Sequence, residues 1–310
     1  MINMITMPLI EVEKTATLTG HRDCIYALEK GGTENHFFSA AGDGMVVLWD
    51  LKNPENGELV AKVENSVYAI KYLPSTNHLL IGHNFQGIHL IDVESKKEIH
   101  SAAITESYIF DIVVKSDKIY AATGDGVLTV LLLKDLSTLL KIKLSDQSIR
   151  SIALSPNGKY MALGFSDNFI RVLDAETLVL LYEWEAHKNS VFTVVFSPDG
   201  KFLLSGGRDA YLKIWEVRRN FELKESIVAH LFALNNIAFS PDSNHFATCS
   251  MDKSIKIWDA QEFRLLKVID KARYAGHGTS VNKLQWSNYK NTLLSGSDDR
   301  SISLWNIEFN

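Results

Sequence analysis

Two cysteines among 310 residues, Cys24 and Cys249, are too few and too far apart for a disulfide framework. Neither belongs to a Cys-x-x-Cys pair, which argues against a structural zinc site and fits a reducing compartment. No stretch approaches the ~18 uninterrupted apolar residues that a membrane-spanning helix needs. Residues 1–14 lack the basic start and long apolar run of a secretory signal. Blocks of like charge are missing too. With a net charge of -5, the chain offers neither a basic arm for nucleic acid nor a polybasic patch for a membrane. The expectation is a cytoplasmic protein with no cofactor and no metal. What is abundant is apolar surface: 46% of residues are hydrophobic, enough for a large core and too many for disorder.

One pattern recurs seven times along the chain. It is clearest between Ala186 and Glu216. Ala186-His187 opens the unit and Val191–Phe196 reads as a strand. Ser197-Pro198-Asp199-Gly200 reads as a turn, residues 201–206 as a second strand, and Tyr211–Trp215 as a third. No stretch holds a helical period over ten residues. The third strand of each unit ends at Trp49, Ile91, Leu131, Leu173, Trp215, Trp258 and Trp305, at spacings of 42, 40, 42, 42, 43 and 47. A period of ~40–45 residues is that of four-stranded propeller blades. The longest spacing holds a small inserted loop, Asp270 to Ala275.

Gly20-His21 with Trp49-Asp50, Ala229-His230 with Trp258-Asp259, and Gly276-His277 with Trp305-Asn306 resemble WD repeats, and the resemblance covers essentially the whole chain. The second, third and fourth units are degenerate: Ile91, Leu131 and Leu173 replace Trp, and no Gly-His opens them. The resemblance implies an all-β, seven-bladed β-propeller spanning residues 1–310 as one domain. It also implies closure of the ring by an N-terminal strand (residues 8–18) that joins the last blade, with Glu11 to Leu18 beside Ser301 to Ile307.

His, Ser or Thr, Asp and Trp recur at one register: His21/Ser39/Asp43/Trp49, His187/Ser205/Asp209/Trp215, His230/Thr248/Asp252/Trp258 and His277/Ser295/Asp299/Trp305. A catalytic triad is needed once, whereas this set appears four times, as a structural network does. In WD repeats these groups form a buried hydrogen-bond chain, and that role is expected here. His83 and His89, with His78, read as surface histidines rather than metal ligands. Gly42-Asp43-Gly44 and Gly124-Asp125-Gly126 read as tight turns rather than phosphate loops.

In WD repeats one face is lined by recurring positions around the start of each inner strand. The residue after the first apolar anchor is Tyr26, Tyr68, Phe110, Arg150, Phe192, Asn235 and Asn282. The residue before it includes Tyr108. The residue before the network Asp includes Arg208, Met251 and Asp298, with Asn84 placed in the second unit by spacing. Aromatics, Met and Arg are enriched at interface cores, so a partner-binding mouth is expected, with the two arginines pointing to a ligand that combines an apolar anchor and a carboxylate. The channel positions offer Asp298 alone among carboxylates, which argues against an enzyme. Two arginines are too few for a nucleic-acid or lipid-headgroup reader. The expected function is a non-catalytic protein- or peptide-binding scaffold, monomeric alone and part of a larger complex. The alternative is an enzyme or small-ligand binder using the central channel.

Overall fold

The computed structural model describes residues 10–309. They form seven antiparallel four-stranded sheets. The fifth blade shows the plan: inner strand Val191–Phe196, then Phe202–Gly207, Tyr211–Glu216 and the outer strand Glu222–Val228. The turn after the inner strand is fixed locally. Ser197 Oγ donates to Asp199 at 2.6 Å and accepts from the Phe202 N–H, while Gly200 takes φ +69°, a left-handed conformation that glycine adopts without strain.

The seventh sheet contains strands from both ends of the sequence. Its outer strand is Ile10–Leu18, antiparallel to Ile302–Phe309, with Ile10 opposite Phe309 and Leu18 opposite Ile302. The closing strand expected from sequence therefore forms, and it covers the edge the last blade would otherwise expose. Its expected first two residues, 8 and 9, lie outside the described residues. The insertion at 270–275 is a helical turn, Lys271–Tyr274, capped by Asp270 accepting from the Arg273 N–H. Lys14 of the closing strand donates to Ala275 O at 2.9 Å and ties this turn to the seam.

The core is not one body. The buried apolar residues fall into separate clusters, each built from the facing sheets of two neighbouring blades. At each interface the anchor residue of one inner strand meets a small residue on the second strand of the preceding blade. Ile109 faces Gly82, Val191 faces Gly164, Leu234 faces Gly206 and Ile25 faces Gly296. Alanine or cysteine fills the same position elsewhere: Ala40 clusters with Val67, Ala122 with Ile149, and Cys249 with Val281. A Cβ at Gly164 would sit 2.9 Å from Val191 Cγ1, and one at Gly82 2.9 Å from Ile109 Cγ2. The narrow approach sets how closely the blades pack near the axis.

Gly206→Val places a branched side chain against the buried Leu234. Overpacking of this kind costs roughly 1–3 kcal/mol. The variant is expected to melt several degrees lower than the wild type by circular dichroism, and an unchanged midpoint would refute the packing role given to this glycine.

Candidate functional site

Every inner strand carries a β-bulge at its entry. Pairing skips one residue in each blade: Tyr26, Tyr68, Phe110, Arg150, Phe192, Asn235 and Asn282. These are the seven positions singled out after the apolar anchor. A bulge sets two residues opposite one, breaks the alternation of faces and re-aims side chains. Here it turns all seven, each half-buried, toward the axis.

All seven, with Tyr108, line a cavity of about 430 Å³ at the channel mouth. The aromatics form a connected arc. Tyr26 meets Tyr68 edge-on at 4.5 Å between centroids, and Tyr68 stacks on Phe110 at 5.6 Å. Tyr108 lies 5.5 Å from Phe110. The Arg150 guanidinium closes the arc, 3.9 Å from the Phe110 ring centre and 4.9 Å from that of Phe192. Such cation–ring contacts are worth ~0.5–2 kcal/mol each. Burial pushes the Arg150 pKa down to about 10, against a smaller opposing pull from Tyr68, so the group stays charged at neutral pH. Burial, followed by Cys24, raises the Tyr26 phenol; burial, followed by Tyr108, raises that of Tyr68.

The same cavity is lined by residues the sequence reading passed over: Asp111, Ser151, Asn236 and Lys283. Each directly follows a bulge residue. Strict alternation would send these side chains away from the channel, and the bulge is what brings both neighbours to one side. Asp298 is therefore not the only carboxylate available to the channel. Asp111 accepts from the Ile152 N–H at 2.8 Å and its own neighbour's N–H at 2.9 Å, bracing the third blade against the fourth. In an adjoining cavity, Glu29 pairs with Lys71 at 2.6 Å.

Arg208, Met251 and Asp298 do not join the central ring. They line an adjoining groove of about 640 Å³ that shares Tyr26, Phe192, Asn235 and Asn282 with the mouth. Asp298 is held there by Asn282 Nδ2 at 2.7 Å. The groove also holds Leu231 and Phe232, 84% and 60% exposed, beside Met251 at 57%. Leu231 and Phe232 escaped the sequence reading, yet a signal exists. After the opening histidine the other regular units carry Arg22-Asp23, Lys188-Asn189 and Gly278-Thr279; only the sixth has two large apolar residues there. Asn84, placed at this face by spacing, is instead fully buried and accepts from the Ile109 N–H at 2.8 Å. Its neighbour Phe85, 47% exposed, packs 4.7 Å from Tyr108.

Beneath the loops that carry these residues, four blades hold the same polar chain. His187 Nδ1 lies 2.9 Å from Asp209, its Nε2 2.8 Å from Ser205 Oγ, and Trp215 Nε1 donates to that Oγ at 2.9 Å. The chain recurs as His21–Asp43 with Ser39 and Trp49, His230–Asp252 with Thr248 and Trp258, and His277–Asp299 with Ser295 and Trp305. In three of these blades the Asp also accepts from the backbone N–H after the histidine, Asp43 from Arg22, Asp209 from Lys188 at 3.0 Å and Asp252 from Leu231, which clamps the loop.

The degenerate blades contain other polar chains. In the fourth, Asp167 accepts from Ser145 at 2.6 Å and from Arg171 at 2.8 Å, and Arg171 reaches Glu183. In the second, His83 is buried and lies 3.2 Å from His89, which lies 2.6 Å from Glu98. These histidines are thus not surface residues: with an apolar Ile91 where Trp stands elsewhere, the blade's polar interior has been rebuilt around an imidazole pair. No group of three or more His, Cys, Asp or Glu among the described residues is placed to hold a metal ion.

The family model described as "WD domain, G-beta repeat" matches residues 12–50, 137–174, 178–216, 221–259 and 269–306, more than half of the chain. The chain belongs to the WD40-repeat family of β-propellers. The longest unmatched stretch, 51–136, holds the second blade and the first three strands of the third, which fold as the others do although their signature residues are gone. Among curated proteins the chain is similar to THO complex subunit 3 of Arabidopsis thaliana, 26% identical over 173 residues, 54% of each chain. It is also similar to WD repeat-containing protein SL1-17 of Schistosoma mansoni, 25% identical over 162 residues, 50% of this chain and 52% of that one. A third likeness, to WD repeat-containing protein 81 of Rattus norvegicus, is 25% over 185 residues and covers 9% of that protein. The chain spans about half the length of the first two relatives.

Stability is expected to depend on pH in two windows. Burial lowers the pKa of His21, His83, His230 and His245 below 6.5, outweighing the carboxylates that pull all four upward. Below about pH 6.5 the unfolded chain binds protons that these folded histidines refuse, so stability falls as pH drops. Burial alone would raise Asp209, Asp252 and Asp299, but their histidine partners and backbone N–H groups hold them below 3.8. Their contribution is present above that value and is lost as pH falls through their folded pKa. Melting midpoints should decline from pH 7.5 to 5.5 and again below pH 4; a flat profile between 7.5 and 5.5 would contradict the first window. Asp209→Ala, which leaves the buried His187 and the Lys188 N–H without their acceptor, should cost about 1–3 kcal/mol in denaturant titration.

Proposed function

We propose that this propeller is a non-catalytic scaffold that binds a protein or peptide partner across the channel-mouth face and the adjoining groove, as part of a larger complex. The observation that carries this reading is the exposed trio Leu231, Phe232 and Met251, contiguous with the aromatic arc through Tyr26 and Phe192. Contiguous exposed apolar surface marks interaction sites, and Phe, Tyr, Met and Arg are the residues that dominate them. Arg208, exposed at the groove's edge and without an ion-pair partner among the described residues, adds charge selectivity. The likeness to a protein named as a subunit of a complex supports assembly into one. Against catalysis, the Asp111 carboxylate is committed to backbone N–H groups, and the four His–Asp pairs are clamped beneath the loops.

The triple variant Arg208→Glu/Phe232→Glu/Met251→Glu alters exposed positions and should melt like the wild type. In affinity capture from native lysate, partners enriched by the wild type should fall by at least about tenfold, as loss of interface hot spots requires. Leu180→Glu, on an outer strand, should leave them bound. Partners retained by the triple variant and lost by Leu180→Glu would move the working surface to the sides of the ring.

A further inference from the structure

The mouth cavity contains more positive charge than the protein uses. Arg150 and Lys283 line it from the fourth and seventh blades, and neither has a hydrogen-bond or ion-pair partner among the described residues. The one carboxylate in the wall, Asp111, spends its oxygens on the Ile152 and Ile112 N–H groups and on Ser151. An adjoining cavity that shares Asp111 and Lys283 with the mouth also contains Glu29 and Lys71, whose charges are already matched with each other. Two cations against one carboxylate leave a single net positive charge in a space of about 430 Å³.

Arg150 is also held in place. Phe110 and Phe192 contact its guanidinium and fix its plane without offering it an acceptor. A planar, half-buried guanidinium whose donors stay free is preorganised for a carboxylate, which it meets with two parallel hydrogen bonds. A buried charge without a partner is costly, and an incoming anion relieves that cost. The Asn236 side chain, in the same wall, adds polar capacity beside Lys283. The remaining wall is aromatic, Tyr26, Tyr68 and Phe110, and suits an apolar group attached to the anion.

We infer that the channel mouth is a carboxylate-binding subsite, in which Arg150 and Lys283 grip one singly charged carboxylate of the bound peptide while the aromatic arc holds the apolar group next to it. The inference rests on the scaffold reading for the source of the carboxylate, and it assigns the grip to Lys283 rather than Arg208, which lies out in the groove. A single net positive charge matches a carboxylate and is exceeded by a doubly charged phosphate.

The probes are N-acetyl-phenylalanine, its uncharged amide and inorganic phosphate, each titrated against the whole protein by ligand-observed NMR. The acid is expected to bind at least ten times more tightly than the amide and more tightly than phosphate. Arg150→Met and Lys283→Met, each confirmed folded by its melting curve, should each weaken the acid at least tenfold. Two variants on opposite sides of the ring keep the test valid if one of them fails to fold. No binding of the acid at millimolar concentration, equal binding of acid and amide, preference for phosphate, or full retention by the folded variants would each overturn the subsite. The scaffold reading fails separately, in the capture experiment with the groove variant, whose substitutions leave the cavity cations untouched.

Discussion

A sheet of four strands has two faces and can bury neither by itself; in this chain each face is covered only by the next blade. The clusters of buried residues lie between blades rather than within them. A linear stack would leave its first and last blades half-exposed, so the ring must close, and the strand Ile10–Leu18 closes it. The small residues opposite each inner anchor follow from the same constraint, because strands near the axis approach more closely than those at the rim. The repeated polar chains fit the same pattern: they are spent on fixing loops at the blade ends, where no neighbouring sheet can cover the backbone.

The architecture was legible because it is written many times over. The strand endings at Trp49, Trp215, Trp258 and Trp305, and the spacing that survives at Ile91, Leu131 and Leu173, recur at nearly constant intervals, and repetition averages out local ambiguity. The mouth residues were legible for the same reason. Tyr26 and its counterparts hold one register, and the bulge that aims them is present in all seven blades. What escaped were departures from two-residue periodicity and substitutions peculiar to one blade. Asp111 and Lys283 were hidden because alternation sends a bulge residue's neighbour to the wrong face. His83 and His89 looked superficial because their partnership spans two strands with no precedent in the other blades. Asn84 and Phe85 exchanged roles in a turn where the usual Asp is absent, so spacing alone named the wrong residue.

The division of labour between face and interior follows from the dielectric difference between them. In the interior, each imidazole, hydroxyl and carboxylate of the four chains is matched, since an unmatched group there costs about 1–3 kcal/mol. At the mouth the matching is incomplete: the arc of rings holds Arg150 without neutralising it. The apolar pair Leu231-Phe232, set where other blades place polar residues, is incomplete in the complementary sense of lacking a cover. Both features lie on one side of the ring and share walls through Tyr26 and Phe192.

The pairing of Ile10 with Phe309 brings the two ends of the described chain to one spot on the rim of the seventh blade. The ring itself has no first blade. Joining these ends and reopening the chain at another loop on the rim would preserve every interblade layer, the mouth cavity and the groove, while changing which segment emerges first from the ribosome. The three-dimensional object specifies a cyclic order, and the amino-acid sequence is one of several linear readings of that cycle. Which seam a chain uses is thus a matter of folding order rather than of the finished structure.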